Sequence, residues 1–302
     1  MRVYLTGASG FVGSNLVRVL GGAHGAELFT ERVDVTDAAA VERSVREFRP
    51  DAIVHAAILN DFHRLYADRR AAWDQYVGAT RNVVDAANAT GAHVVLVSTD
   101  WVFDGTQGGA TEDTPPNPIN LYGFLKAASE LVVSERAERG AVARISGVNG
   151  VHWSRPGAPR RQDPGFGYFV LSLVDALRAG QGFTVWESPQ INMVATPTLA
   201  TDAGELIWRI ASRGLEGTFH CCGGQAIDRP GLARSVVDAF ELDPELLDFG
   251  PPPPEALLPA PVPYDTSLSA QATAATLEVE LPSIDDLLRR LRAELDSARS
   301  PA

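Results

Sequence analysis

Thr6-Gly7-Ala8-Ser9-Gly10-Phe11-Val12-Gly13 lies between a short apolar run, residues 3–6, and a stretch with helical spacing, residues 11–20. The three glycines have separate jobs. Gly7 permits the tight turn, Gly10 lets backbone approach a pyrophosphate, and Gly13 lets helix and strand pack closely. The helix that follows offers unpaired N–H groups and the positive end of its dipole to phosphate. A glycine pattern alone says little. One that follows an opening strand and heads a helix is the dinucleotide-binding arrangement. No Gly-Lys-Ser/Thr run occurs, which excludes a P-loop.

Beyond this loop, apolar runs at 27–30, 52–56, 94–98 and 141–145 alternate with amphipathic stretches at 38–48, 71–89 and 121–139. Such alternation predicts a parallel sheet with helices on both faces, and its strands read as unbroken apolar runs because they are covered twice. The expected fold is α/β. A Rossmann-type doubly wound parallel sheet takes up residues 1–150, rejoined by segments from about 183–210, and a smaller mixed α/β substrate-binding domain takes up most of 151–302. In that second half, helices are expected at 167–178 and 197–211 and a strand at 217–222. A loop rich in Arg, Pro and Gly covers 155–164, and a proline-rich connection covers 249–263. A closing helix at 283–295 has Ser283 as N-cap and Asp285 and Asp286 in its first turn.

Composition narrows the partners. A net charge of −12 repels phosphate backbones and anionic lipid, so neither nucleic acid nor a membrane is an expected partner. No apolar run approaches the ~20 residues that span a bilayer. The first strand begins directly after Met1, leaving no room for a leader, so the expected compartment is the cytoplasm. Cys221 and Cys222 are adjacent, poorly placed to bridge, and read as buried thiols. Of the 26 basic side chains, 25 are arginine; Lys126 is the single lysine.

That lysine lies four residues after Tyr122, at the head of a predicted helix, so phenol and ammonium share a face. Reducing a carbonyl leaves an alkoxide that must take a proton. A phenol with a free pKa near ~10 is slow at this, and a fixed cation nearby should lower that pKa. Ser98-Thr99, at the carboxyl end of a predicted strand, places a hydroxyl where doubly wound sheets bind ligands. Glu31 and Arg32 stand side by side at the end of the second strand, so NADP and NAD both stay open as cofactor, with NADPH slightly favoured. Asp34 is placed to touch the adenine edge or to serve as a turn residue.

The glycine loop, Val97-Ser98-Thr99-Asp100-Trp101-Val102-Phe103-Asp104-Gly105, Pro116-Asn117-Pro118-Ile119-Asn120-Leu121-Tyr122-Gly123 and Lys126 resemble the extended short-chain dehydrogenases, and within them the dTDP-4-dehydrorhamnose reductase family. The likeness is strong over residues 1–150 and thinner beyond, where Thr196-Pro197-Thr198 and Leu281-Pro282 fit the outline. It implies an NADPH- or NADH-dependent reduction of a 4-keto sugar nucleotide, with Thr99, Tyr122 and Lys126 as the catalytic trio. Candidate cofactor contacts are Gly7, Ser9, Gly10, Phe11, Val12, Gly13, Arg32, Asp34, Val35, Ala56, Ala57, Ile58, Val97, Tyr122 and Lys126. Candidate substrate contacts are Thr99, Asp100, Trp101, Gly147 and Arg155.

The departures from that family are specific. Trp101 stands where it usually has tyrosine, and Gly147 where it has a tryptophan that packs on the sugar. Asn15 replaces a glutamate that helps bind magnesium in some members, so no metal is expected. Tyr76 replaces a common helix asparagine, and Ile58-Leu59-Asn60-Asp61-Phe62-His63 is atypical; His63 is read as a loop residue or a substrate contact. Arg155, Arg160 and Arg161 form a loop cluster open to a diphosphate or to solvent. The expected substrate is the 4-keto group of a nucleotide-activated deoxysugar or a related polar carbonyl compound; besides the reductase, two readings stay open: an NAD-dependent sugar-nucleotide epimerase, and a non-catalytic subunit resembling the β subunit of methionine adenosyltransferase. A dehydratase is disfavoured because Trp101 replaces the glutamate that would expel water. A homodimer is compatible with either fold role.

Overall fold

The computed structural model describes residues 1–59, 61–157 and 161–299. The chain opens with β1 (Arg2–Thr6), α1 (Phe11–Leu16), β2 (Glu27–Phe29), α2 (Ala38–Phe48) and β3 (Ala52–His55). It continues through α3 (Phe62–Ala67), α4 (Arg69–Trp73), α5 (Ala79–Asn88), β4 (His93–Thr99), α6 (Leu121–Arg136), β5 (Gly140–Ile145) and β6 (Val148–Asn149). Then come α7 (Phe169–Arg178), β7 (Phe183–Trp186), β8 (Val194–Ala195), β9 (Thr198–Leu199), α8 (Ala200–Arg213) and β10 (Gly217–His220). The last elements are β11 (Ile227–Asp228), α9 (Arg229–Phe240), β12 (Leu247–Gly250), α10 (Gln271–Leu277) and α11 (Ile284–Arg299).

Six strands form one sheet in the order β10-β5-β4-β3-β1-β2, parallel throughout. This is the expected doubly wound Rossmann-type architecture. The chain steps from β1 outward to β2 and then back to β3 on the other side, so the crevice where ligands bind opens between the carboxyl ends of β1 and β3. β3 and β4 are buried along their whole length, which is why their sequences are unbroken apolar runs.

The structure places the chain's return to the sheet at α8 and β10. β7, inside the expected returning segment, pairs instead with β12 in a separate two-stranded sheet. A second apolar core, formed by Phe166, Phe169, Leu173, Leu232, Val236, Leu288 and Leu291, joins α7, α9 and α11. The expected helix at 197–211 begins later, because Thr198–Leu199 pairs with Val148–Asn149. The long helix expected at 71–89 is interrupted by a wide-turned stretch, Asp74–Gly78, of the kind often found at functional sites. Ser283 caps α11 as expected: its hydroxyl accepts from the Asp286 N–H at 3.1 Å.

Candidate active site

The glycine loop closes on the turn after β3. Gly7 has φ +73°, and a side-chain carbon there would lie 2.7 Å from the Ala57 nitrogen and 2.8 Å from the Ala56 carbonyl. At Gly13 it would lie 2.0 Å from the Gly7 oxygen, so helix and loop touch backbone to backbone. Thr6 Oγ1 and His55 Nδ1 are 2.7 Å apart, and the Ala57 N–H donates to the same hydroxyl at 3.2 Å, tying β1 to β3 under the loop. Burial holds the His55 imidazole down at about 3, with the Lys126 ammonium pushing the same way, so the ring is neutral. Gly10 caps α1 without any side-chain bond, leaving the first N–H groups of the helix for an anion. These residues fit a pyrophosphate.

In the loop after β2, Asp34 Oδ1 accepts from the Thr36 N–H at 3.0 Å and hydroxyl at 2.7 Å, bonds that hold its carboxyl below the usual range. Arg32 is exposed beside it, and Val35 is buried with its carbonyl accepting from Asn82 Nδ2 at 3.0 Å. Phe11 leans out of the loop toward the second half, its ring 5.3 Å from Tyr168.

Tyr122 and Lys126 are placed by the start of α6. Asn120 caps that helix, accepting from the Gly123 N–H at 2.9 Å. Gly123 sits so close to the preceding turn that a side-chain carbon would be 2.1 Å from the Trp101 carbonyl oxygen. This approach sets Tyr122 edge-on to Trp101, ring centroids 5.9 Å apart. Lys126 is buried and donates to the Val97 carbonyl at 2.8 Å. Burial pulls its ammonium down to about 8 against the attraction of Glu130.

The expected depression of Tyr122 by Lys126 is not what the site shows. Burial pushes the phenol up to about 12, the Thr99 hydroxyl opposing and Asp100 adding to the rise. The cause is a cage of rings: Phe62 at 5.6 Å, Trp101 at 5.9 Å and Tyr76 at 6.1 Å from Tyr122. The Lys126 ammonium, meanwhile, lies 5.7 Å from the Tyr76 ring centre. In this arrangement the phenol stays protonated and is poised as a donor.

Thr99 and Asp100 divide their work differently from the sequence expectation. Asp100 turns inward: it accepts from the hydroxyls of Thr99 at 3.0 Å, Ser146 at 2.8 Å and Thr266 at 2.6 Å. With no free face for a substrate, it orients Thr99 instead. Burial lifts its carboxyl to about 6 against the pull of those three bonds. Ser98 is likewise unavailable, its hydroxyl donating to Glu130 at 2.5 Å. Glu130 pairs with Arg144 at 2.7 Å, both side chains almost fully buried.

Gly147 has φ +47°, and a side-chain carbon there would meet the Pro197 backbone at 3.2 Å and the Phe166 ring at 3.5 Å, leaving no room for a larger side chain without movement. Arg155 and Arg161 are exposed, and no bond brings either to Tyr122 or Thr99; Arg160 lies outside the described residues. His63 is exposed on α3 and Ile58 on the loop before it; Asn60 also falls outside the described residues. Asn15, the replacement for the metal-binding glutamate, donates to the Phe11 and Val151 carbonyls at 2.9 Å and accepts from Trp153 Nε1 at 3.1 Å. Among the described residues no His, Cys, Asp or Glu cluster is gathered as a metal site, and no helix is long and apolar enough to cross a membrane.

Sequence reasoning did not find the role of Phe62, nor the fully buried Arg229. The Arg229 guanidinium bonds the Asn192, Asp163 and Gly165 carbonyls and Gln162 Oε1, pinning the loop beside Trp101. Asp228 and Pro230 were an available signal, an N-cap followed by proline in the first turn.

The family model described as "RmlD substrate binding domain" matches residues 1–297. Methionine adenosyltransferase 2 subunit beta of Rattus norvegicus is 29% identical over 255 residues, covering 80% of this chain and 72% of that protein. A dTDP-4-dehydrorhamnose reductase of Mycobacterium tuberculosis is 28% identical over 321 residues, covering 94% of this chain and 98% of that one. The crystal structure of dTDP-4-dehydrorhamnose reductase from Bacillus anthracis in complex with NADP superposes with a TM-score of 0.82 at 24% identity, covering 97% and 99% of the two chains.

Proposed function

Because the chain belongs to the RmlD substrate binding domain family, we propose that it is an NAD(P)H-dependent reductase acting on the 4-keto group of a nucleotide-activated deoxysugar. The observation that carries this reading is the meeting of Tyr122, Lys126 and Thr99 at the carboxyl edge of β4, beside the glycine loop. The dinucleotide would lie along Gly7, Ser9, Gly10, Phe11, Val12 and Gly13. Arg32, Asp34 and Val35 would hold its adenosine end, and Ala56, Ala57, Ile58 and Val97 would flank it in the crevice. When bound, it supplies the hydride. Thr99, whose hydroxyl donates its one proton to Asp100 in this structure, would turn that proton to the substrate carbonyl oxygen when substrate binds. Tyr122 delivers its phenolic proton to that oxygen as charge develops there. Lys126 anchors to Val97 and keeps a positive charge behind the tyrosine, easing the phenolate left after transfer. The caging rings exclude water, which strengthens both hydrogen bonds.

The test is oxidation of NADPH and NADH by the purified protein with a panel of 4-keto sugar nucleotides that includes dTDP-4-dehydrorhamnose. The reading predicts turnover with one or both cofactors, and no oxidation with either would overturn it. The likeness to the methionine adenosyltransferase subunit favours one other reading, a partner-binding subunit without turnover. That reading predicts a stable complex with a larger enzyme and full function of the complex after Tyr122→Phe.

A further inference from the structure

Thr99 ends β4 with a hydroxyl that the following turn holds from two sides. The Trp101 N–H donates to Thr99 Oγ1 at 3.3 Å, and Thr99 Oγ1 stands 3.0 Å from Asp100 Oδ1. The other carboxyl oxygen, Oδ2, is filled from distant segments. The Thr196 N–H donates to Ser146 Oγ at 3.3 Å, which directs the Ser146 proton onto Oδ2 at 2.8 Å. Asn192 Nδ2 donates to Thr266 Oγ1 at 3.2 Å, which directs the Thr266 proton onto the same oxygen at 2.6 Å. With two donors fixed on Oδ2, the place left for a proton taken up by the carboxyl is Oδ1, facing Thr99. Asp100 is buried, and among the described residues no ion pair reaches it; Arg144, two residues before Ser146, is spent on Glu130. The titratable groups that face it are the Tyr122 phenol on α6 and the Cys222 thiol after β10. Both are raised by burial above all, with the Asp100 charge adding.

We propose that Asp100 works as a neutral carboxylic acid in the reacting complex, donating from Oδ1 to Thr99 Oγ1 so that the Thr99 proton is free for the substrate carbonyl oxygen. The proposal rests on the reductase reading above and adds to it a positioning residue whose charge sets the direction of one hydrogen bond. The Thr99 oxygen has two lone pairs, enough for the Trp101 N–H and an acid proton together. As a carboxylate, Asp100 holds the Thr99 proton for itself. It also puts a negative charge one hydroxyl away from the oxygen on which hydride transfer builds another, a costly pairing where water is excluded. As an acid it removes that repulsion and completes a chain of donors ending at the carbonyl, the service a buried carboxyl kept neutral can perform. Burial already lifts Asp100 to about 6 against its hydroxyl bonds. Drawing the Thr99 proton to a substrate takes one of those bonds away and lifts it further, so substrate binding and proton uptake go together. This proton comes from solvent and stays on the carboxyl through the hydride step; the proton that the alkoxide takes is still the one Tyr122 supplies.

Wild type, Asp100→Asn and Asp100→Ala are compared in pH profiles from about pH 5 to about pH 7.5, with a panel of 4-keto sugar nucleotides that includes dTDP-4-dehydrorhamnose. Wild-type kcat/KM, which reports the free enzyme, should step down about tenfold as pH rises through about 6, well before the decline that Lys126 sets. The same step in kcat, which reports the complex, should lie at higher pH. Asp100→Asn presents an N–H to Thr99 at every pH, so it should show no step and exceed Asp100→Ala about tenfold throughout. A flat wild-type profile, a step that survives in Asp100→Asn, or Asp100→Asn no better than Asp100→Ala would overturn the proposal. A second measurement needs no turnover. NMR of protein labelled at aspartate side chains, with the Asp100 signal assigned by its loss in the Asp100 variants, should show a midpoint near 6. In Thr266→Val, which takes one donor from Oδ2, that midpoint should rise. An ordinary aspartate midpoint, or one that Thr266→Val leaves in place, would also overturn it. Wild-type protein that reduces no member of the panel would remove the reductase reading first and the role of Asp100 with it, whereas an active wild type with a flat profile would remove the proposal alone.

Discussion

The Lys126 ammonium donates to the backbone carbonyl of Val97 at 2.8 Å, two residues before Thr99 on the same strand. One bond therefore sets α6 against β4 and fixes how far Tyr122 stands from Thr99. An arginine would be a poor substitute: its planar fork is too broad for a pocket built around a single ammonium, in a chain that uses arginine for all other fixed positive side chains.

The same burial gives a pH signature. Lys126 is pulled down to about 8 from 10.5, so it is charged at neutral pH and loses its proton as pH rises through 8. Reductase activity should decline above pH 8, and Lys126→Met should abolish that limb along with most of the rate. Folding should respond in the opposite direction. The unfolded chain keeps this proton up to 10.5, so between pH 8 and 10.5 it binds more protons than the native state, and this group's contribution to stability rises with pH. Denaturant titrations across that window, wild type against Lys126→Met, check the sign; the ceiling is ~1.4 kcal/mol per pH unit.

Gly13→Ala should be severe. Its new carbon would stand 2.0 Å from the Gly7 oxygen, backbone against backbone, so the loop must open. Overpacking of this kind costs ~1–3 kcal/mol. NADPH affinity should fall more than global stability does, a comparison that cofactor titration and thermal melting make together.

Glu130 and Arg144 form a buried pair 2.7 Å apart, with Ser98 donating to the carboxylate. Glu130→Ala would strand the guanidinium in the core at a cost of ~3–5 kcal/mol. A drop in unfolding free energy measured in urea should report it, together with lost activity, because Ser98 adjoins Thr99 on β4.

Arg32 is exposed in the loop that follows β2, next to Glu31. If it meets the adenosine 2′-phosphate of NADPH, Arg32→Ala should lower the NADPH/NADH preference in kcat/KM, and Glu31→Gln should raise it. An unchanged ratio in both variants would place cofactor choice elsewhere.

The glycine loop was readable because its demands are conformational: a positive φ at Gly7 and a backbone contact at Gly13 admit no other residue. The tyrosine–lysine pair was readable because helix geometry converts a spacing of four into a shared face. What escaped depends on long-range packing. Tyr122 is raised rather than lowered because Phe62, Tyr76 and Trp101, far apart in sequence, converge on it, and no local pattern foretells how much water they displace. Asp100 looked like a substrate contact from its place at the strand end, yet Ser146 and Thr266 reach it from two distant segments and turn it inward. The break in the long helix at Asp74–Gly78, which carries Tyr76, leaves no mark in a sequence that is otherwise good helix.

The measurement that bears most directly on the whole account is turnover by Tyr122→Phe. The change removes one hydroxyl and keeps the ring, its cage and the Val97–Lys126 bond. The account predicts NADPH affinity equal to wild type and a kcat for dTDP-4-dehydrorhamnose lower by ~100- to 10,000-fold, the usual worth of a positioned proton donor. A variant that binds NADPH and reduces the sugar at the wild-type rate would contradict it.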